Sequence, residues 1–207
     1  MNQPELTQQA LELLRNPDYF QWYVIPLFAL VMYVYANEFS KKNYKAIAAG
    51  LALYGVHWFY EILNAIIQHV SGHALWTVPT GTSYLLLVGV GIELSLMFAI
   101  AGLVMSKFLP ADPKQKILGI NNRLFFAIMN AAGFSIIEIF LATTPAFHWV
   151  YGWWGAIPVF VTTYIPFFLA AFFCHDWQPK VQKRFLAIIW GINVVAMILF
   201  AGILHWI

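Results

Sequence analysis

Three carboxylic acids stand where a polypeptide tolerates them least. Glu61, Glu93 and Glu138 each lie inside a long apolar run, and no Lys or Arg lies within those runs to pair with them. An ionisable side chain deep in a bilayer costs about 2.5–3.5 kcal/mol on insertion scales, so such a residue marks a functional site by default. His57 precedes Glu61 by one helical turn, a spacing at which two side chains touch. Tyr54, His57, Glu61, Asn64 and Gln68 recur at intervals of three and four, forming one polar stripe on an otherwise apolar helix. Ala127, Ala131, Ser135 and Glu138 form a second stripe, of small residues that let helices approach closely, ending at the acid.

At 1.5 Å per residue, Glu61 lies roughly 10 Å, Glu93 roughly 13 Å and Glu138 roughly 6 Å from the outer end of its run. The three acids and His57 are therefore expected to meet at one level, on neighbouring helices joined by short loops. Carboxylates crowded in a low dielectric cannot all ionise, because desolvation and mutual repulsion both oppose charge. The cluster is expected to hold protons as a group. A proton donor beside a carboxylate base, in an aromatic pocket, suits protonation and deprotonation of carbon–carbon double bonds in a lipid. Aromatic faces stabilise the intervening carbocation. His57, Glu61, Glu93 and Glu138 are the candidate catalytic residues, and Tyr54, Asn64, Trp154, Thr162, Tyr164 and Asn193 the candidate substrate contacts.

Blander roles compete for these residues. A buried Glu can simply tie helices together, and a Thr in a span commonly bonds its own i−4 carbonyl, which bears on Thr162 and Thr163. His69, His73, His148, His175 and His205 fall near the ends of apolar runs and read as interfacial. Glu and His are acceptable metal ligands, but the paired Glu-x-x-His motifs of di-iron bundles are missing. Neither metal nor cofactor is expected, and no phosphate-binding loop or nucleophile elbow is visible.

The elements that must position these residues are apolar helices. The chain is 61% hydrophobic and 10% charged over 207 residues, against roughly 45–50% and 25% in soluble domains. This excludes an ordinary soluble enzyme and a disordered chain. One cysteine, Cys174, excludes an intramolecular disulfide. A net charge of +2 makes nucleic acid an unsuitable partner. The partners expected are the bilayer and a lipid or isoprenoid small molecule, with the oligomeric state left open.

Six stretches are apolar and long enough to read as spans: Phe20–Ala36, Ala46–His69, Tyr84–Ser106, Leu124–Ala142, Trp149–Phe173 and Phe185–Trp206. Every Lys and Arg except Arg15 lies in alternate connections, around Lys41–Lys45, Lys107–Arg123 and Lys180–Arg184. The positive-inside rule makes those loops cytoplasmic and both termini external. Trp22, Trp76, Trp149, Trp153, Trp154 and Trp206 fall at outer span ends, where indoles anchor at the interface; Trp153 and Trp154 also suit the roof of a pocket. Residues 4–16 align Leu6, Ala10, Leu13 and Leu14 on one face, as in an amphipathic helix lying on the outer surface and ended by Pro17. Pro26, Pro158 and Pro166 are expected to bend spans one and five. The sequence predicts an all-α, polytopic membrane bundle of six transmembrane helices, N-out and C-out. It forms a single membrane domain over residues 1–207, with 1–19 as interfacial helix and lead-in and 20–207 as the bundle. It belongs in a plasma or inner membrane, or the endoplasmic-reticulum equivalent.

The order of these residues resembles the emopamil-binding-protein family of small membrane sterol isomerases. There an early span carries a His and a Glu one turn apart, and later spans add acids. Here His57 and Glu61 in GVHWFYE, Glu93 in GVGIELS and Glu138 in FSIIEIF fall in matching order over about residues 50–140. This chain departs from that pattern in its sixth span and in placing Asn193 there rather than in the fifth. Small membrane terpene cyclases, which protonate polyprenyl substrates with intramembrane acids, are about as similar. The resemblance implies isomerisation or cyclisation of an isoprenoid or sterol-like lipid, the work of an isomerase or lyase. Two other functions remain open: a carrier or channel in which the acids bind protons or cations, and a non-catalytic subunit of a larger membrane complex.

Overall fold

The computed structural model describes residues 4–207, so the first three residues of the lead-in lie outside the described residues. The chain is mostly helical. A short helix α1 (Pro4–Leu13) precedes α2 (Val24–Ser40), the long α3 (Tyr44–Ser71), α4 (Ile92–Ser106) and α5 (Asn122–Leu141). A one-turn α6 (Ala156–Val159), a π-helical stretch Phe160–Tyr164 and α7 (Ile165–Asp176) form one continuous rod. α8 (Pro179–Ala196) follows and runs on as π-helix to Ile203. Four of these units are long and apolar enough to cross a membrane: Tyr44–Ser71, Asn122–Leu141, Ala156–Asp176 and Pro179–Ile203. α2 and α4 are shorter apolar helices. The apolar side chains Phe28, Ile136, Phe140, Ile188 and Val195 remain exposed on α2, α5 and α8, as lipid-facing surfaces require.

α3 is the axis of the bundle, packing against α4, α7 and α8. Its start is set by Asn43, whose side chain accepts the Ala46 N–H at 3.4 Å. Its contact with α4 is made by small residues. A Cβ placed on Gly102 would sit 2.6 Å from the Ala49 carbonyl oxygen and 2.8 Å from Leu53 Cβ, so only glycine allows this crossing. Gly102→Val is expected to destabilise the bundle by about 1–3 kcal/mol, as overpacking does, read as a loss of thermal stability in detergent relative to wild type.

Three two-stranded ribbons interrupt the helices. β1 (Trp76–Thr77) pairs with the distant β6 (His148–Trp149), placing Trp76 opposite Trp149. β2 (Leu85–Leu87) and β3 (Val90–Gly91) form a hairpin before α4. β4 (Lys116–Ile117) and β5 (Ile120–Asn121) form another before α5. The stretch expected as the third span, Tyr84–Ser106, is therefore helical only over Ile92–Ser106. Residues 85–91 are apolar because the hairpin is buried, not because it crosses lipid: Leu85, Leu87 and Val90 are almost wholly enclosed.

The β1–β6 ribbon, the β2–β3 hairpin, α1 and the C-terminal residues build a cap over one end of the bundle. The Arg15 N–H bonds the Leu85 carbonyl at 3.0 Å, and its side chain reaches the carbonyls of Leu86 and Ile207. Arg15 and the C-terminal Ile207 thus meet at the cap. α1 also departs from expectation. Thr7 and Ala10 are fully buried, and Leu11, Leu13 and Leu14 pack against the cap core, so the apolar face seats on protein. Pro26 falls in the first turn of α2, where the missing N–H has no helical partner to lose, and no bend is needed there.

At the opposite end the basic loops gather. Lys107 pairs with Glu38 at 2.7 Å, and Arg123 makes a two-pronged contact with Asp176 at 2.6 and 2.9 Å. These pairs tie α2 to the end of α4, and the start of α5 to the end of α7.

Candidate acid site beneath the cap

The polar stripe of α3 points inward. His57 and Glu61 are 1% and 5% exposed, with His57 Nε2 3.5 Å from Glu61 Oε1. The imidazole lies against Phe98 of α4 at a ring separation of 4.3 Å, with Tyr54 on its helix neighbour's side and Phe167 edge-on. Neither ring nitrogen has a hydrogen-bond partner of good geometry. Glu61 instead takes the Trp76 indole N–H on its two oxygens, at 3.3 and 3.2 Å.

Glu138 approaches from α5, at the end of its small-residue stripe. Ala127 and Ala131 are fully buried, and the acid is 6% exposed. Its Oε1 accepts the Trp149 indole N–H at 2.8 Å, and the Tyr164 hydroxyl hydrogen-bonds the same carboxyl. Its Oε2 has no partner. The register of β1 and β6 therefore delivers one indole to each acid: Trp76 to Glu61 and Trp149 to Glu138. Trp154 stacks on Trp76 at 6.1 Å and closes the roof. Between them lies a cavity of about 30 Å³, lined by His57, Glu61, Glu138, Tyr164, Thr163 and Phe98 among others. That volume holds one or two water-sized groups.

The π-helical stretch explains how Tyr164 and Thr163 reach this cavity. Pro166 has no N–H, so the Thr162 carbonyl four residues earlier loses its helical donor. The Tyr60 hydroxyl supplies a replacement at 2.7 Å. The irregularity expected from Pro166 thus takes the form of a widened turn, which recurs at functional sites, whereas Pro158 lies in the first turn of the rod, where no helical N–H is lost. Outside the spans, burial lowers the pKa of His148, beside Trp149 in the same strand.

The structure brings together His57, Glu61, Glu138 and Tyr164, with Trp154 above. Glu93 is not with them, so the expected three-acid cluster becomes a pair. Glu93 sits in the first turn of α4, where its carboxylate takes the Tyr23 and Thr82 hydroxyls and the Ser83 N–H at 2.5, 2.6 and 2.7 Å. A carboxylate suits a helix N-terminus, and the hairpin that delays α4 is what removes Glu93 from the common level.

Other candidates have structural work to do. Asn64 is fully buried and latches the cap: its oxygen accepts the Leu75 and Trp76 N–H groups, and its amide donates to the Trp76 carbonyl. Gly89 lets the hairpin approach this latch, since a Cβ there would lie 2.4 Å from Trp76 Nε1 and 2.5 Å from Asn64 Nδ2. The Tyr54 hydroxyl meets Ser95 at 2.8 Å. Thr162 donates to the Pro158 carbonyl at 2.7 Å, its own i−4 position, and lies outside the cavity. Asn193 donates to the Gly55 carbonyl at 2.7 Å, fastening α8 to α3.

The indoles of Trp76 and Trp149 were not foreseen as partners of the acids, because their position at span ends reads as interfacial anchoring. Only the antiparallel pairing of two distant loops, which sets Trp76 opposite Trp149, brings them over the acids. Among the described residues no three His, Cys, Asp or Glu side chains are placed to hold one metal ion.

The model of an uncharacterized membrane protein family matches residues 4–202, nearly the whole of this bundle. An uncharacterized protein of Archaeoglobus fulgidus is 44% identical over 210 residues, covering 98% of this chain and 99% of the relative. No solved structure matches the chain.

Proposed function

We propose, for a chain that belongs to this uncharacterized membrane protein family, that the cavity beneath the cap is the site of an intramembrane acid–base enzyme. Its substrate is an isoprenoid or sterol-like lipid, and its reaction is double-bond isomerisation or cyclisation. The observation that carries this reading is that Glu61 and Glu138 face one aromatic cavity from different helices, while Glu138 Oε2 and both His57 nitrogens lack protein partners. These are the atoms left to exchange protons with something in the cavity.

The chemistry balances without a cofactor. Glu138 in its acid form gives its proton to one carbon of a double bond, creating a cation on the neighbouring carbon. Glu61, backed by His57, removes a proton from the adjacent carbon, and the double bond re-forms one position along. One proton enters the lipid and one leaves, and the proton left on Glu61 returns to Glu138 through a water-sized group in the cavity they share before the next turnover. Phe98, Tyr164 and Phe167 line the cavity and offer π-faces to the transient cation. The cavity takes only a water-sized group as it stands, so admission of the reacting carbons requires the strand and loop carrying Trp149 and Trp154 to lift. The resemblance to emopamil-binding isomerases supports this reading on His57, Glu61 and Glu138, and not on Glu93.

The small volume also favours a second reading, a proton- or cation-binding site of a carrier. Against it, the fully buried Phe168 and Phe172 and the nearly buried Phe167 and Phe98 pack below the acids, where a path toward the basic end would run.

The test uses solvent deuterium. Membranes containing the protein are incubated in D2O and their lipids analysed by mass spectrometry. Isomerisation through protonation places deuterium in an isoprenoid lipid, above the level in membranes lacking the protein. Equal labelling in both would refute the acid–base assignment.

We also assign six crossings, with the cap and both termini outside. The segregation of the basic loops supports this. In a Cys174-free background, Lys114→Cys is expected to resist an impermeant thiol reagent added to intact cells and to react after permeabilisation. Labelling in intact cells would invert the orientation.

A further inference from the structure

We infer that the basic end of the bundle carries a docking groove for an anionic, phosphate-headed membrane lipid, with Lys42, Lys45 and Lys183 around the headgroup. The groove lies between the starts of α3 and α8 and encloses about 650 Å³, far more than the acid cavity. No acidic side chain lines it.

The charges at this end of the molecule are sorted. Lys107 and Arg123 are neutralised by Glu38 and Asp176. Lys42, Lys45 and Lys183 are exposed and make no ion pair among the described residues. Two helices also begin at this mouth, α3 at Tyr44 and α8 at Pro179, and α8 has no side-chain cap. Helix N-termini add partial positive charge to that of the lysines. Below the lysines the walls turn apolar: Ile47, Ala48 and Leu51 of α3 face Leu186 of α8, with the Trp177 ring alongside.

A groove that is cationic at its mouth and apolar along its depth matches an amphiphile, and basic pockets between helices at this level suit lipid phosphates. A lipid of the bilayer fits better than a soluble anion, because the apolar floor would leave a free phosphate against hydrocarbon. The exposed Ile188 and Ile192 continue the same helix towards the acyl region. This groove is separate from the acid cavity under the cap, so the two readings stand or fall independently.

The purified protein in detergent would be titrated with short-chain phosphatidylglycerol, short-chain phosphatidylcholine and inorganic phosphate, with binding read by native mass spectrometry. Phosphatidylglycerol is expected to bind on the order of tenfold tighter than phosphatidylcholine. Lys45→Gln with Lys183→Gln, one on each wall, should erase that preference. Lys114→Gln with Lys116→Gln, an equal charge change outside the groove, should leave it intact. Equal binding of the two lipids by wild type, an unchanged preference in the groove pair, or equal loss in both pairs would overturn the assignment. Displacement of phosphatidylglycerol by inorganic phosphate at like concentration would overturn it too, in favour of a soluble anion.

Discussion

Replacing Glu138 by Gln is expected to lower deuterium incorporation into the isoprenoid lipid by about 10²–10⁴, the usual contribution of a general acid–base group. The amide keeps the shape of the carboxyl and can still accept the Trp149 and Tyr164 hydrogen bonds, so the fold is expected to persist. Glu61→Gln should lose activity by a similar factor while the Trp76 indole keeps an acceptor. His57→Gln, which removes the group 3.5 Å from Glu61, should lower activity as well. A purely structural pair of acids gives the reverse pattern: the Gln variants keep wild-type behaviour, and Glu61→Leu, which strands the buried Trp76 N–H, unfolds the cap. Near-normal labelling in both Glu→Gln variants, alongside active wild type, would remove the catalytic roles from these residues.

The second large effect concerns stability at the opposite end. Arg123 is 2% exposed and bonds Asp176 twice, the Pro110 carbonyl and the Asn122 side chain. Arg123→Met leaves the Asp176 carboxylate with only the His175 ring at 2.9 Å. Breaking one side of a fully buried pair costs about 3–5 kcal/mol. Asp176 keeps 21% of its side chain exposed, so solvent screens the charge left behind and a smaller loss, about 1–3 kcal/mol, is expected. Chemical denaturation in mixed micelles should register that loss. Arg123→Met combined with Asp176→Leu should recover much of it, since replacing both partners by apolar groups is often near neutral. A double variant as unstable as the single one would show that the other bonds of Arg123, not its ion pair, hold α5 against α7.

The sequence by itself determined the membrane setting and the helical stripes. Composition excludes a soluble fold whatever the packing, and periodicity is local, so His57 and Glu61 were bound to share a face of α3 and Glu138 to end a small-residue stripe. Alternation of basic loops likewise follows from chain order alone. What tertiary structure decided is which acids meet and what they touch. Apolar content does not distinguish a span from a buried hairpin, so residues 85–91 read as lipid-crossing, and the resulting shift put Glu93 at a helix start rather than in the cavity. Indoles at span ends read as interfacial anchors, yet Trp76 and Trp149 face one another across a ribbon formed by two distant loops. That pairing rests on long-range contacts: Asn64 holding the loop from below and Gly89 allowing the hairpin to close over it. No periodicity in the chain carries those contacts, because each joins residues whose proximity exists only once the helices have packed.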